Sequence, residues 1–387
     1  MSRSYELDWL RVLLFALLVP HHVAVGFVDW GEDIYRFVNN QLAGDGMTLF
    51  IYWSHSWRLP SLFLIAGLGT WYLTRQSYGA VFMSARLLRL LVPAVFGIFA
   101  LNVFGGYAMA RMTGETQPFL PFWWGWISSP EPGQIQHLWF LFNLAVYTVI
   151  CWPAFIYRAQ LARLQISPAR LLVGLCASSA VAIVLLKPHA AALTGDNYQF
   201  PFYLLFFLGG YLIGAQDRVV LDWCRHHVWK LLSAAILLFL LKATLLTMAL
   251  LEDIPTGEAL AEGGWRPLGL DPPNATMFSV IEAATAWAWC IAALGLASRF
   301  LSRPSSLLAR LNSAVFPFYV IHFPVTLVGL ALVAQISLPW QIEFLILLIC
   351  VYLVTWLIWR IFERLGPAAI LVGGKPHIGW HQKSPSP

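Results

Sequence analysis

Ten predominantly apolar runs, most of them close to 20 residues long, succeed one another along this chain, near 9–28, 47–73, 86–108, 138–157, 169–187, 200–215, 229–251, 278–298, 313–334 and 341–361. About 20 apolar residues in a helix cover the hydrocarbon core of a bilayer. Each run therefore predicts a membrane span, with 200–215 the shortest. The composition supports this reading. Of 387 residues 59% are hydrophobic and 11% charged, against roughly 25% charged in an average soluble domain. A chain so short of charge has to hide most of its surface in lipid, and the 19 Trp and 26 Phe suit lipid-facing and interfacial positions. The expected fold is an all-α integral membrane bundle of about ten transmembrane helices.

The connections are short except 29–46, 109–137 and 252–277, which carry Pro, Gly and acidic residues. The polar, Pro-rich stretch 373–387 predicts a disordered cytosolic tail after a membrane domain at 1–372. No fixed-period repeat and no separate soluble domain is evident. The first run holds Asp8 and Arg11 and lacks a small-residue cleavage site, so it is expected to stay as the first helix rather than leave as a signal peptide.

Basic residues set the orientation, because cytosolic connections are enriched in Lys and Arg. With both termini in the cytosol, most of the 24 basic residues fall inside: Arg3, Arg75, Arg86, Arg89, Arg158, Arg163, Arg170, Arg218, Arg225, Lys230, Arg299, Arg303, Arg310, Arg360, Arg364, Lys375 and Lys383. The outer connections keep only Arg36, Arg111, Lys187 and Arg266, together with most of the acids, among them Asp29, Glu32, Asp33, Glu252, Asp253 and Glu262. The net charge of +5 thus reports topology and not nucleic-acid binding. The five Cys, at 151, 176, 224, 290 and 350, show no CxxC or Cys/His pairing and read as small core residues. No metal site is expected.

Three cations lie within spans: Arg11, Arg58 and Lys242. Each costs about 2.5–3.5 kcal/mol to insert, so such residues face a protein interior or a watery cavity. The first run reads Leu7-Asp8-Trp9-Leu10-Arg11 and continues to Pro20-His21-His22. On a helix Arg11 and His22 are about 20° from eclipsed and about 16 Å apart, so an acid, a cation and an imidazole share one stripe. A neutral imidazole in such a place can take a proton from a hydroxyl. Residue chemistry alone leaves His22 open between that role and a histidine satisfied by a neighbouring helix. His21 points elsewhere and is expected to be structural.

Ser54-His55-Ser56-Trp57-Arg58 forms a second polar cluster, with His55 and Arg58 three residues apart on one face. Arg58 is suited either to an anionic group or to structural pairing. Arg86 and Arg89 place two guanidinia three apart at the cytosolic face, a spacing fit for phosphate; the residue pattern by itself favours a topogenic charge pair. His137 opens the fourth run, Tyr319 and His322 lie in the ninth, and Glu282 and Glu343 are acids within spans. Histidines and acids in one bundle point to a lined cavity, with the roles of Glu282, Glu343 and Lys242 open. No GxSxG elbow, P-loop, dinucleotide fingerprint or HExxH helix occurs.

The ensemble of Leu7-Asp8-Trp9-Leu10-Arg11 with His22, Leu62-Phe63-Leu64-Ile65-Ala66-Gly67, Arg86 and Arg89 before Leu90-Leu91-Val92-Pro93, His137-Leu138-Trp139-Phe140-Leu141, and Tyr319 with His322 resembles the acyltransferase-3 superfamily of bacterial membrane acyltransferases. It covers nearly the whole chain in the expected order. Ala66 stands where the family usually has Ser. The stretch Ser54 to Pro60 is similar to the branch that includes the succinyltransferase of osmoregulated periplasmic glucans. Many relatives add a periplasmic esterase-like domain; here the chain stops soon after its tenth run, so the membrane unit is expected to act alone or with a partner.

The resemblance implies an acyltransferase in the bacterial inner membrane that moves an acyl group from cytosolic acyl-CoA to a hydroxyl of an extracytoplasmic glycan or related acceptor. It implies His22 as the base with Arg11 supporting it or the donor, Arg86 and Arg89 on CoA phosphates, and His55, Arg58, His137 and His322 on the acceptor side. Acyl-CoA enters as co-substrate, and no resident cofactor is implied. Acetyl and succinyl both remain open, as does transfer through an acyl-enzyme. The competing expectations are a transporter or flippase with Arg11, Arg58, Lys242, Glu282 and Glu343 along its path, though no repeat or broken-helix pair supports it, and a non-catalytic assembly partner.

Overall fold

The computed structural model describes residues 4–76, 79–164, 166–186, 199–251 and 272–374. The expectations for Arg3, Lys187, Lys375, Lys383, the acids of 252–271 and nearly all of the tail lie outside these residues. The described chain is helical, without strands, and forms an all-α integral membrane protein. Every backbone polar group in lipid has to be satisfied within its own segment, which helices achieve. Among the described residues, seven helices are long and apolar enough to cross a bilayer, or eight if one sharply bent pair counts as a single span.

The order is α1 (Tyr5–Val25), α2 (Gly31–Tyr35), α3 (Asp45–Thr74), α4 (Gly79–Phe96), a π turn (Gly97–Leu101), α5 (Asn102–Met112), α6 (Phe119–Ser128), a 3-10 turn (Pro132–Leu138) and α7 (Trp139–Ile150). There follow α8 (Trp152–Ile156), α9 (Arg158–Arg163), α10 (Pro168–Leu186), α11 (Gln199–Ala215), α12 (Val219–His226), α13 (Val228–Leu251), α14 (Pro272–Phe300), α15 (Ser306–Val333), α16 (Trp340–Arg364) and a closing 3-10 turn (Gly366–Val372). The expected runs 47–73 and 138–157 are the two outside the set of clear spans. In α3 the polar stretch from Ser54 to Arg58 dilutes an otherwise apolar helix of 30 residues. The fourth run breaks at Cys151 into α7 and α8. The bent pair is α11 and α12, turned by 101°, where Arg218 pairs with buried Glu6 at 2.8 Å.

The outward faces of α13 and α16 expose Leu237, Leu240, Leu345, Ile349 and Leu353, an apolar exterior suited to lipid tails. Inside, α1, α3, α11, α14 and α15 pack around one large core. The closest approach is between α3 and α11. A Cβ at Gly67 would lie 1.8 Å from the Phe207 carbonyl oxygen, and one at Gly210 would lie 1.9 Å from that of Leu64. Small residues let membrane helices meet backbone to backbone in this way. Gly210→Ala is therefore expected to destabilise the protein by about 3 kcal/mol or more, since backbone has to move. Gly174→Ala, with nothing within 4 Å of the added carbon, should be neutral. Thermal unfolding in detergent compares the two, and equal melting temperatures would contradict this packing.

Two of the expected connections are structured. Residues 36–44 fold back on the end of α1 through Asn39 N–H to the Gly26 carbonyl (2.8 Å) and Ala43 N–H to that of Phe27 (2.7 Å). This buries Phe27, Val28, Tyr35 and Phe37. Glu343, whose role the sequence left open, holds this fold: from the first turn of α16 it accepts from Asn39 Nδ2 and from the N–H of Leu338 just before the helix. Residues 109–137 contain α6 and the 3-10 turn before α7. The π turn spoils the regular hydrogen-bond ladder and leaves carbonyls to be satisfied elsewhere. Trp126 Nε1 donates to the Ile98 carbonyl at 2.8 Å and Trp123 Nε1 to that of Phe99 at 3.1 Å.

Candidate active site

The C-terminal turn of α1 carries His21 and His22 side by side, so their rings point in different directions. His22 Nδ1 lies 3.2 Å from the Tyr35 hydroxyl, and that hydroxyl donates to the His22 carbonyl at 3.0 Å. The single phenolic proton is committed to the carbonyl, so the imidazole carries its own proton on Nδ1. Nε2 is then a bare lone pair with no partner among the described residues. The ring is half-buried, flanked by Phe323 at 4.9 Å and His322 at 5.4 Å between centroids.

Two more imidazoles complete a line, with His137 5.2 Å from His322. His322 Nδ1 donates to the carbonyls of Tyr319 (2.8 Å) and Phe318 (3.1 Å). His137 Nε2 donates to the Tyr319 carbonyl at 2.9 Å, and the Tyr319 hydroxyl donates back to the His137 carbonyl. Each ring thus has one nitrogen protonated and engaged, while His322 Nε2 and His137 Nδ1 are buried with no partner among the described residues. The turn that delivers His137 is strained at Gln136, with φ 47° and ψ −133°. It is pinned by buried Asn102, whose Nδ2 donates to the carbonyls of Gln134 (3.0 Å) and Ile135 (3.2 Å).

From the middle of α3, Ser54, His55 and Arg58 face the same region. His55 stacks on His21 at 6.1 Å, and Ser54 Oγ lies 2.7 Å from His21 Nδ1. Arg58 is 2% exposed, yet its Nε and Nη1 have no hydrogen-bond partner among the described residues. It lies within electrostatic reach of His21, His22, His55, His322 and Tyr35. Lys242 donates to Ser56 Oγ at 3.2 Å and sits 4.8 Å over the Tyr52 ring. With Glu282 it lies within electrostatic reach of His55. Among the described residues no group of three His, Cys, Asp or Glu is disposed to hold a metal ion.

Arg11 does not join this cluster. It sits about 16 Å away down α1, within electrostatic reach of Arg86 and Arg89. Arg86 Nε donates to Thr148 Oγ1 at 2.9 Å and its guanidinium lies over Phe207; that of Arg89 lies over Phe316 and is exposed. Asp8 accepts from Asn312 Nδ2 at 3.0 Å. Three cations therefore meet at one end of the bundle, and five imidazoles, His21, His22, His55, His137 and His322, meet near Arg58 further along. A cavity of about 600 Å³ between α1, α3 and α16, lined by Leu17, Pro20, Asp45, Met47, Phe50 and Phe344 among others, is separate from both.

The residues proposed from sequence thus fall into two groups. Sequence reading passed over Tyr35, because it lies in an outer connection of acidic character, and Asn102, because a lone Asn in an apolar run carries no motif. Comparison with curated proteins and with solved structures gives no match. Comparison with protein families gives one, the acyltransferase domain of the acyltransferase-3 family, over residues 4–360. That match spans every helix that carries a residue of either group. The chain belongs to the acyltransferase-3 family and is a multi-pass membrane acyltransferase.

Proposed function

We propose that the protein moves an acyl group from cytosolic acyl-CoA to a hydroxyl of an extracytoplasmic glycan or related acceptor, in the bacterial inner membrane, with about ten spans in residues 1–372 and both termini in the cytosol. The observation that carries this reading is the separation along α1 of a three-arginine group from an imidazole group with bare nitrogens. Arg11, Arg86 and Arg89 suit the phosphates of CoA, because guanidinia bind phosphate through parallel N–H donors. The bare nitrogens of His22, His137 and His322 are hydrogen-bond acceptors and suit a ligand rich in hydroxyl groups. A pantetheine arm is about as long as the roughly 16 Å between Arg11 and His22.

In this reading the acceptor hydroxyl gives its proton to His22 Nε2 as it becomes a nucleophile. Tyr35 fixes the tautomer that leaves Nε2 free. Arg58 offers its unpaired N–H groups to the negative charge that develops on the thioester oxygen, where a preorganised donor is most effective. His55, His137 and His322 orient the acceptor. The thioester C–S bond breaks, and the CoA sulfur takes up the proton.

Removing the Tyr35 hydroxyl leaves the Nδ1–H of His22 unpaired, a cost of about 1–3 kcal/mol. Tyr35→Phe is expected to lower kcat/KM about 5- to 150-fold, read by steady-state kinetics; an unchanged value would contradict the tautomer argument. The function itself is tested with purified protein, labelled acetyl-CoA and succinyl-CoA, and a glucan oligosaccharide, together with mass spectrometry of cell glycans with and without the gene. An alkali-labile acyl ester on glycan that depends on the gene is expected. Glycans identical in both strains, with no label transferred from either donor, would overturn the reading.

A further inference from the structure

We propose that Ser54 is an acyl-carrying nucleophile activated by His21, so that transfer passes through an ester on the protein. The proposal rests on the acyltransferase reading above and names a covalent step within it. Ser54 is fully buried, and its Oγ lies 2.7 Å from His21 Nδ1. The hydroxyl donates to the Ile51 carbonyl one turn back at 3.0 Å, and in the tautomer that leaves Nδ1 bare the imidazole offers the same proton a nearer acceptor. Ser56 contrasts with it: the Ser56 hydroxyl back-bonds to Tyr52 at 2.8 Å and accepts from Lys242, the arrangement of a serine that only satisfies its helix.

A nucleophile in hydrogen-bond reach of a base that is itself held by a third group is the general signature of covalent catalysis. His21 is held between His55, stacked at 6.1 Å, and His22, edge-on at 5.4 Å. The remaining requirement is a donor for the oxyanion. Arg58 is four residues after Ser54 on α3, hence on the same face one turn away, and its Nε and Nη1 are buried with no partner among the described residues. Serine, base and oxyanion donor come together beside His22, which stays free for the acceptor.

The chemistry balances in two steps. Ser54 Oγ attacks the thioester carbon, the C–S bond breaks, and the hydroxyl proton passes through His21 to the CoA sulfur, leaving CoA thiol and an ester on Ser54. The acceptor hydroxyl then attacks that ester while His22 takes its proton. The proton on His22 passes to His21, whose imidazolium protonates the departing Ser54 oxygen, and both rings return to their starting state. The sum is thioester plus alcohol giving ester plus thiol.

Intact-mass analysis of the full chain tests this, with acetyl-CoA and succinyl-CoA as donors and no glycan present. The His22→Ala variant, in which the second step is slowed, is expected to gain one acyl group, mapped by fragmentation to Ser54. Ser54→Ala should lose both the adduct and transfer to glycan while staying folded, its stability lowered by no more than the loss of one buried hydrogen bond, about 1–3 kcal/mol, and Ser54→Cys should carry a thioester that hydroxylamine releases. An adduct on His22 or elsewhere would overturn the proposal, as would no adduct, or Ser54→Ala transferring at the wild-type rate, while the wild type still acylates glycan. No adduct and no acylated glycan from either donor would overturn this proposal and the proposed function together.

Discussion

His22→Ala is expected to lower kcat for acyl transfer to glycan by about 10²- to 10⁴-fold, the contribution of a well-placed general base, with the protein still folded in the membrane. The effect is large because nothing nearby substitutes for Nε2. His137 and His322 also have bare nitrogens, but both rings are buried and held by the Tyr319 carbonyl. His21 is committed to Ser54. Small cavity costs aside, the melting temperature should hold, because the ring is half-buried and contributes one hydrogen bond to Tyr35. A kcat within threefold of wild type would remove His22 from the chemistry.

The second large effect is on the donor. Arg86→Gln combined with Arg89→Gln is expected to raise KM for acyl-CoA by about 10²-fold or more, at about 1.5–3 kcal/mol for each charge-assisted hydrogen bond, with kcat changed far less. Loss of interactions made equally in the ground and transition states has this signature. Acyl-pantetheine, which lacks the nucleotide phosphates, supplies the control. If the arginines hold those phosphates, the double variant and the wild type should use acyl-pantetheine equally well. Equal losses with both donors would show that the pair maintains structure, for which the bond from Arg86 to Thr148 at 2.9 Å offers a route.

Much of this was legible before any coordinates. Apolar runs near 20 residues long dictated helices, and eight of the described spans or bent pairs coincide with them because length and hydropathy act locally. The run at 47–73 needed tertiary context: its Ser, His, Trp and Arg are tolerated at mid-helix only because α1, α11 and α14 bury them. The stripe on α1 was readable as geometry, since helical pitch alone puts Arg11 and His22 in line about three turns apart. What periodicity could not supply was company. Arg11 finds Arg86 and Arg89 from α4, and His22 finds Tyr35 from a fold-back that looked like an exposed loop. Glu343 is the converse case. As an acid within an apolar run it suggested a lined cavity, yet it is held by Asn39 from 304 residues earlier in the chain, a pairing that no local pattern encodes.

The π turn at 97–101 was invisible for a related reason. Its sequence, Gly-Ile-Phe-Ala-Leu, is compatible with an ordinary helix. The extra residue persists because two tryptophans of α6 satisfy the carbonyls it displaces and because it turns Asn102 toward the strained strand of chain before His137. These are contacts between segments some 30 residues apart, decided by packing.

Sealed vesicles containing the purified protein, with a glucan oligosaccharide trapped inside and labelled, membrane-impermeant acyl-CoA added outside, put the whole account to one measurement. Labelled ester should accumulate on the trapped oligosaccharide in wild-type vesicles and stay at background with His22→Ala. Ester that forms only when donor and acceptor share a compartment would contradict a transfer path running from the arginine group to the imidazoles.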